Sequence, residues 1–170
     1  GHRTARRGVE ADLMTEVSVD GQVAWQSTST VLSMAGEGDG EKRAAPEVPA
    51  PQLDRSLTWQ LPTDLGRRYA KVAGDRNPIH MYPWTAKLFG FKRHIIHGMW
   101  LLARAVAEID MHEEEALRLQ CSFKRPVFLP GSSVFMGGPH GGGTSFQVCR
   151  ARDGKTHLCG WMGPASALVL

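Results

Sequence analysis

The sequence predicts an α+β domain in which a curved antiparallel sheet wraps around one central buried helix. Two observations predict it. Residues 98–109, GMWLLARAVAEI, are apolar on almost every side, and the two polar exceptions, Arg104 and Glu108, stand at i, i+4. A soluble helix of that kind must be enclosed. Beyond it the chain reads as strand: Leu117, Leu119, Cys121 and Phe123 alternate with Arg118, Gln120, Ser122 and Lys124, and further strand-like runs follow. One enclosed helix among strands joined by tight turns is the α+β arrangement.

The elements follow in order. Leu13, Thr15, Val17 and Val19 alternate with polar neighbours, Asp20-Gly21 supplies a two-residue turn, and Val23, Trp25 and Val31 carry a return strand. Residues 35–52, AGEGDGEKRAAPEVPAPQ, have no period to bury and read as a flexible linker. A fresh unit begins at Pro62-Thr63-Asp64, a helix start, with Leu65, Tyr69 and Val72 on one face and Gly74 as the stop. Pro83 to Phe89 makes a short helix with Trp84 and Leu88 facing together, ended by Gly90. After the enclosed helix and the 117–124 strand, Pro130-Gly131 turns the chain and Val134 and Met136 continue it. The glycine-rich stretch 137–143 lacks the Lys-Ser/Thr of a phosphate loop and reads as a floppy connection. Phe146 and Val148 then lead through Asp153-Gly154 to Leu158 and Trp161. Each Asp-Gly hairpin closes a unit, a pattern that an internal repeat would produce. On that reading residues 1–34 are the terminal hairpin of an incomplete first copy, 35–52 the linker, and 53–170 the second copy.

Composition narrows the function classes. With 42% hydrophobic and 22% charged residues among 170, the chain can bury a core. Twenty basic residues against 17 acidic leave a net charge of +3, spread without a continuous basic helix, which argues against nucleic-acid binding. The longest apolar run, around Met99 to Val106, is far short of a membrane span, and nothing near the start has a signal-peptide layout. A cytoplasmic location is the expectation. Cys121, Cys149 and Cys159 are odd in number, widely spaced and strand-embedded, which reads as buried thiols without zinc spacing.

The chemistry is concentrated between Tyr69 and Met99, YAKVAGDRNPIHMYPWTAKLFGFKRHIIHGM. Asp75 and His80 are five apart across a loop in which Pro78 fixes φ and Asn77 can brace the backbone. Such a loop can hold a carboxylate and an imidazole facing one point. His97-Gly98 sits where the enclosed helix begins, so free N–H groups and the positive dipole end point outward, and Gly98 lets a substrate oxygen come close. A base, an acid and an amide donor suit proton transfer beside a thioester carbonyl, where the developing enolate oxygen needs a waiting donor. His94 and His97 with Asp75 and His80 can also be imagined as a metal site, but no supporting partners are visible and no metal is expected.

This stretch resembles the MaoC-like dehydratase, or (R)-specific enoyl-CoA hydratase, family of hot-dog proteins. The resemblance rests on Gly74-Asp75-Arg76-Asn77-Pro78-Ile79-His80, Ala86, Gly90-Phe91, Ile96-His97-Gly98-Met99 and Phe123-Lys124-Arg125-Pro126-Val127, and covers Leu57 to Met162. It implies a hot-dog fold and reversible hydration of trans-2-enoyl thioesters to (3R)-hydroxyacyl thioesters of CoA or acyl-carrier protein, in fatty-acid metabolism. Asp75 and His80 would hold the water, Gly98 would bind the acyl carbonyl, and no cofactor would be required. The chain looks like the C-terminal part of a double-hot-dog member, so a homodimer, or pairing with an N-terminal half, is expected. One departure is that some single-copy members carry a Ser in the buried helix, where this chain has Ala103, Ala105 and Val106. Arg67, Arg68, Lys92 and Arg93 are basic enough to meet a carrier's phosphates. The rival reading is a non-catalytic acyl-thioester-binding or assembly subunit of a dehydratase complex.

Overall fold

A computed structural model describes residues 2–5, 8–33, 54–110 and 116–166. The expected linker at 35–52 lies outside them. The chain divides into two compact units, Gly1–Ala45 and Pro46–Leu170.

In the first unit β1 (His2–Ala5), β2 (Gly8–Val19) and β3 (Gln22–Ser33) form a three-stranded antiparallel sheet in that order. The turn falls at Asp20 and Gly21, whose φ values of 51° and 77° are both left-handed. That is the conformation a two-residue hairpin loop needs, and Asp-Gly tolerates it.

The second unit is built on a five-stranded antiparallel sheet of β4 (Arg55–Leu61), β6 (Gly131–His140), β7 (Gly143–Arg150), β8 (Thr156–Pro164) and β5 (Leu117–Phe123), in that order. Helices α1 (Leu65–Ala73), α2 (Pro78–Met81), α3 (Pro83–Leu88) and α4 (Gly98–Val106) all fall between β4 and β5 in the chain. Phe135, Phe146, Val148 and Leu158 from the sheet meet Leu101, Leu102 and Ala105 of α4 in one core, with Trp59, Leu61 and Leu129 beside them. Burial of such side chains stabilises by about 1.5–3 kcal/mol each.

The expected curvature is not there. The α+β hot-dog-type arrangement holds, but no sheet is closed or strongly curled, so the sheet does not wrap around a central helix. The reason lies in α4 itself. Only Leu101, Leu102 and Ala105 are buried, whereas Gly98, Met99, Ala103 and Arg104 are exposed, so an open sheet against one side suffices. The helix also stops at Val106; Ile109 reaches the core from the turn that follows.

Two helical faces acquire their burial here, and one local expectation is corrected. On α1 the buried residues are Leu65, Gly66 and Ala70, and Val72 is 86% exposed. Small residues define that face because α2 approaches so closely that a Cβ on Gly66 would lie 2.3 Å from the His80 carbonyl oxygen. On α3 the buried residue is Ala86, while Trp84 and Leu88 are exposed and Trp84 stacks on Tyr82. The glycine-rich stretch is strand rather than floppy connection: Gly137 to His140 belong to β6, Gly143 opens β7, and the turn is Gly141-Gly142 alone.

Candidate active site

Asp75, Asn77, Pro78 and His80 all lie between the end of α1 and the middle of α2. Gly74 ends α1 in the left-handed conformation (φ 74°), its N–H donating to the Ala70 carbonyl. The loop then braces itself. The Asn77 amide donates to Asp75 Oδ1 (3.0 Å), the Asn77 side chain accepts from the Ile79 amide (3.3 Å), and Pro78 occupies the first turn of α2, where no amide is missed. α2 is held from outside as well, because Arg67 of α1 donates to the Met81 carbonyl at 2.8 Å.

His80 is buried, and its Nδ1 lies 2.9 Å from the Ile95 carbonyl oxygen. A carbonyl can only accept, so Nδ1 carries the hydrogen and the basic lone pair is on Nε2. Burial pushes His80 below its ordinary value near 6.5; the Ile95 bond opposes this, His97 adds to it and Asp75 opposes it weakly. The Asp75 side chain, by contrast, is about half exposed.

Gly98 is the first residue of α4, with His97 as its N-cap. The first N–H groups of a helix have no partner within it and face outward. Gly98, His80 and His97 line a cleft of about 320 Å³ whose apolar walls include Leu101, Phe123 and Val127. Any Cβ at residue 98 would sit 3.1 Å from the Phe123 ring, so the glycine lets that wall close against the helix start. Lys124 and Arg125 line the same cleft, whereas the four basic residues considered for carrier phosphates, Arg67, Arg68, Lys92 and Arg93, do not.

His97 is the residue whose part the sequence did not reveal. Its Nε2 is 2.9 Å from the Asp75 carbonyl oxygen and 3.8 Å from Asp75 Oδ2, and its ring stacks on His80 with centroids 3.8 Å apart. The only hint in the sequence was its place directly before Gly98. His94 stands apart, fully buried with Nε2 2.7 Å from the Thr63 carbonyl oxygen.

Asp75, His80 and His97 each offer one ligand atom within 4.8 Å of the others, the cluster among the described residues that a metal ion could address. Its geometry fits one poorly. Two of the four ring nitrogens already serve carbonyls, and stacked rings send the other lone pairs along nearly parallel planes, whereas a tetrahedral ion needs donors converging at about 2.0–2.1 Å. The arrangement suits proton transfer better.

No helix among the described residues is long and apolar enough to cross a membrane. Residues 43–156 match the family described as MaoC like domain. The chain is 37% identical over 161 residues to 3-hydroxyacyl-thioester dehydratase X of Mycobacterium tuberculosis, covering 92% of this chain and 56% of that protein. It is 34% identical over 118 residues to 3-hydroxyacyl-thioester dehydratase Y of the same organism, covering 63% and 40%. Among solved structures, the crystal structure of HtdX from Mycobacterium tuberculosis superposes with a TM-score of 0.77 at 33% identity, over 96% of this chain and 63% of that one. The chain thus spans about half the length of the curated relatives it matches. With two thirds of the chain inside the family match, this chain belongs to the MaoC-like dehydratase family.

Proposed function

We propose that this chain catalyses reversible hydration of trans-2-enoyl thioesters, and dehydration of (3R)-hydroxyacyl thioesters, in fatty-acid metabolism. The observation that carries the reading is the cluster of the Asp75 carboxylate with His80, whose lone pair is on Nε2, beside a cleft that His80 and Gly98 at the start of α4 line. The relatives' names point to the same substrate class.

In hydration, Asp75 accepts a hydrogen bond from the water and His80 Nε2 takes its proton as the oxygen bonds to C3. The C2–C3 π pair moves toward the thioester oxygen, where the Gly98 amide meets the developing negative charge; a preorganised donor there is worth about 3 kcal/mol. The enolate then collapses and C2 takes the proton back from His80. A single group that removes and returns the proton works from one face, so addition is syn. The (3R) hand follows the family resemblance. The thioester acidifies the α-carbon, so these steps call for no cofactor.

The carrier is CoA or an acyl-carrier protein, and the site operates in the cytoplasm. We assign residues 1–34 to the closing hairpin of a first hot-dog copy, 35–52 to a linker and 53–170 to the catalytic copy. A homodimer or an N-terminal half supplies the pairing surface.

The test is loss of the enoyl-thioester absorbance band on adding the protein to crotonyl-CoA in deuterated water, followed by chiral analysis of the product. Asp75→Asn and His80→Ala should each lower kcat by at least about a hundredfold, without multiplying, since both act on the same proton transfers. A folded His80→Ala protein with full activity removes the assignment, and an (S) or anti product removes the single-face mechanism.

A further inference from the structure

We propose that His97 is the positioning residue of the site, an imidazole whose Nε2–H fixes the Asp75 loop and whose ring face fixes the His80 ring relative to the start of α4. The inference rests on the hydratase reading above for its kinetic consequence but not for its geometry.

His97 touches each of the three groups that carry the proposed chemistry. Its Nε2 lies 2.9 Å from the Asp75 carbonyl oxygen, which can only accept, so the hydrogen is on Nε2. This bond spans 22 residues and ties the loop between α1 and α2 to the N-cap of α4. The ring face covers that of His80 at 3.8 Å and 26°, which limits the angle at which His80 Nε2 can address the cleft. The peptide that follows is the Gly98 amide itself.

The other nitrogen argues the same way. His97 is 3% exposed, and its Nδ1 is buried without a hydrogen-bond partner among the described residues. A bare lone pair there is tolerable, but an N–H would lack an acceptor in a buried position. The titratable side chains facing the ring are Asp75, His80 and, edge-on at 4.9 Å, Tyr69. The Asp75 carboxylate lies 3.8 Å from Nε2, farther than the 2.9 Å carbonyl oxygen that takes its hydrogen. His97 therefore acts through Asp75 and His80 rather than on substrate.

The experiment has two arms. Two-bond ¹H–¹⁵N correlation of the wild-type protein at neutral pH should show His97 with hydrogen on Nε2 only; a hydrogen on Nδ1 overturns the proposal. His97→Leu removes the donor, whereas His97→Gln keeps an N–H the same number of bonds from the backbone. The Leu variant should lose at least about thirtyfold in kcat with KM within about threefold, and Gln should recover most of the loss. Equal loss in both variants, or loss confined to KM, overturns positioning by this bond. A Leu variant that fails to fold leaves the Gln variant and the tautomer to decide. Wild-type protein inert toward every enoyl thioester sinks the functional reading alone, and the NMR arm still judges His97.

Discussion

Two stretches of this chain are written in the same local code and end in opposite environments. β2 and β3 turn at Asp20-Gly21; β7 and β8 are joined through Asp153-Gly154. Both pairs carry alternating apolar residues. Yet Val17, Val19, Val23 and Trp25 are each about half exposed, whereas Phe146, Val148, Leu158 and Trp161 are at 0 or 1%. Even the shared dipeptide differs in use. Asp20 and Gly21 both take positive φ, while at the second site only Gly154 does, and the Asp153 carboxylate instead accepts from Arg150 at 2.8 Å. Period and turn chemistry decide that strands form, but what lies against their faces decides burial, and that information is spread over the chain.

The sharpest way to break the comparison is to remove the same kind of side chain from each sheet. Phe146 is fully buried, stacks on Phe135, and packs so closely on β8 that a Cβ at Gly160 would lie 2.3 Å from its ring. Phe146→Ala should cost about 3–5 kcal/mol, read as a drop in the urea midpoint at constant slope. A cost under 1 kcal/mol would mean that the five-stranded sheet is no better covered than the hairpin.

The same division explains what was legible in the sequence. The Asp75 to His80 loop and the start of α4 could be read because each is local: a glycine stop, an Asx brace, a proline in the first turn and a glycine at a helix start. β4 is not foreseen, although Leu57, Trp59 and Leu61 alternate, because a seven-residue run with three apolar positions that leads straight into a helix start is a weak strand signal. Period places Leu65 with Val72 and Trp84 with Leu88 on shared faces, but which face of a helix is buried is chosen by neighbours, as the approach of the His80 carbonyl to Gly66 chooses it on α1. Sheet curvature and the role of His97 depend on contacts far apart in sequence, so no local pattern carried them.

A second contrast concerns protons. The buried histidines His80 and His157 both belong to the five-stranded unit, and burial pushes both below the ordinary value near 6.5. The neutral form is thus favoured in the folded state. Their contribution is fully present above pH 6.5 and is lost as pH falls from there toward the lowered folded values, because the unfolded chain then binds more protons. Unfolding free energy should therefore be lower at pH 5.5 than at pH 7.5, and His157→Gln should make that difference smaller. An unchanged or steeper slope in the variant would mean that His157 is not held neutral by burial.

The smallest effect is expected in the hairpin. Trp25 faces Val17 across the ladder, an aromatic against a β-branched residue, and cross-strand pairs of this kind contribute about 0.2–1 kcal/mol. With 57% of its surface exposed, Trp25 has little further burial to lose. Trp25→Ala should consequently cost less than about 1 kcal/mol and leave the Phe146 region untouched. Amide exchange supplies the local readout: β2 and β3 should exchange faster than β7 and β8, since a narrow sheet with both faces wet opens more easily than one packed on a core. A loss of several kcal/mol on Trp25→Ala, or hairpin amides as protected as those of β7, would contradict the exposure of this sheet and require that another surface covers it in solution. The concentration dependence of that protection then distinguishes a second copy of the chain, which dilution removes, from cover supplied within the chain, which dilution leaves in place.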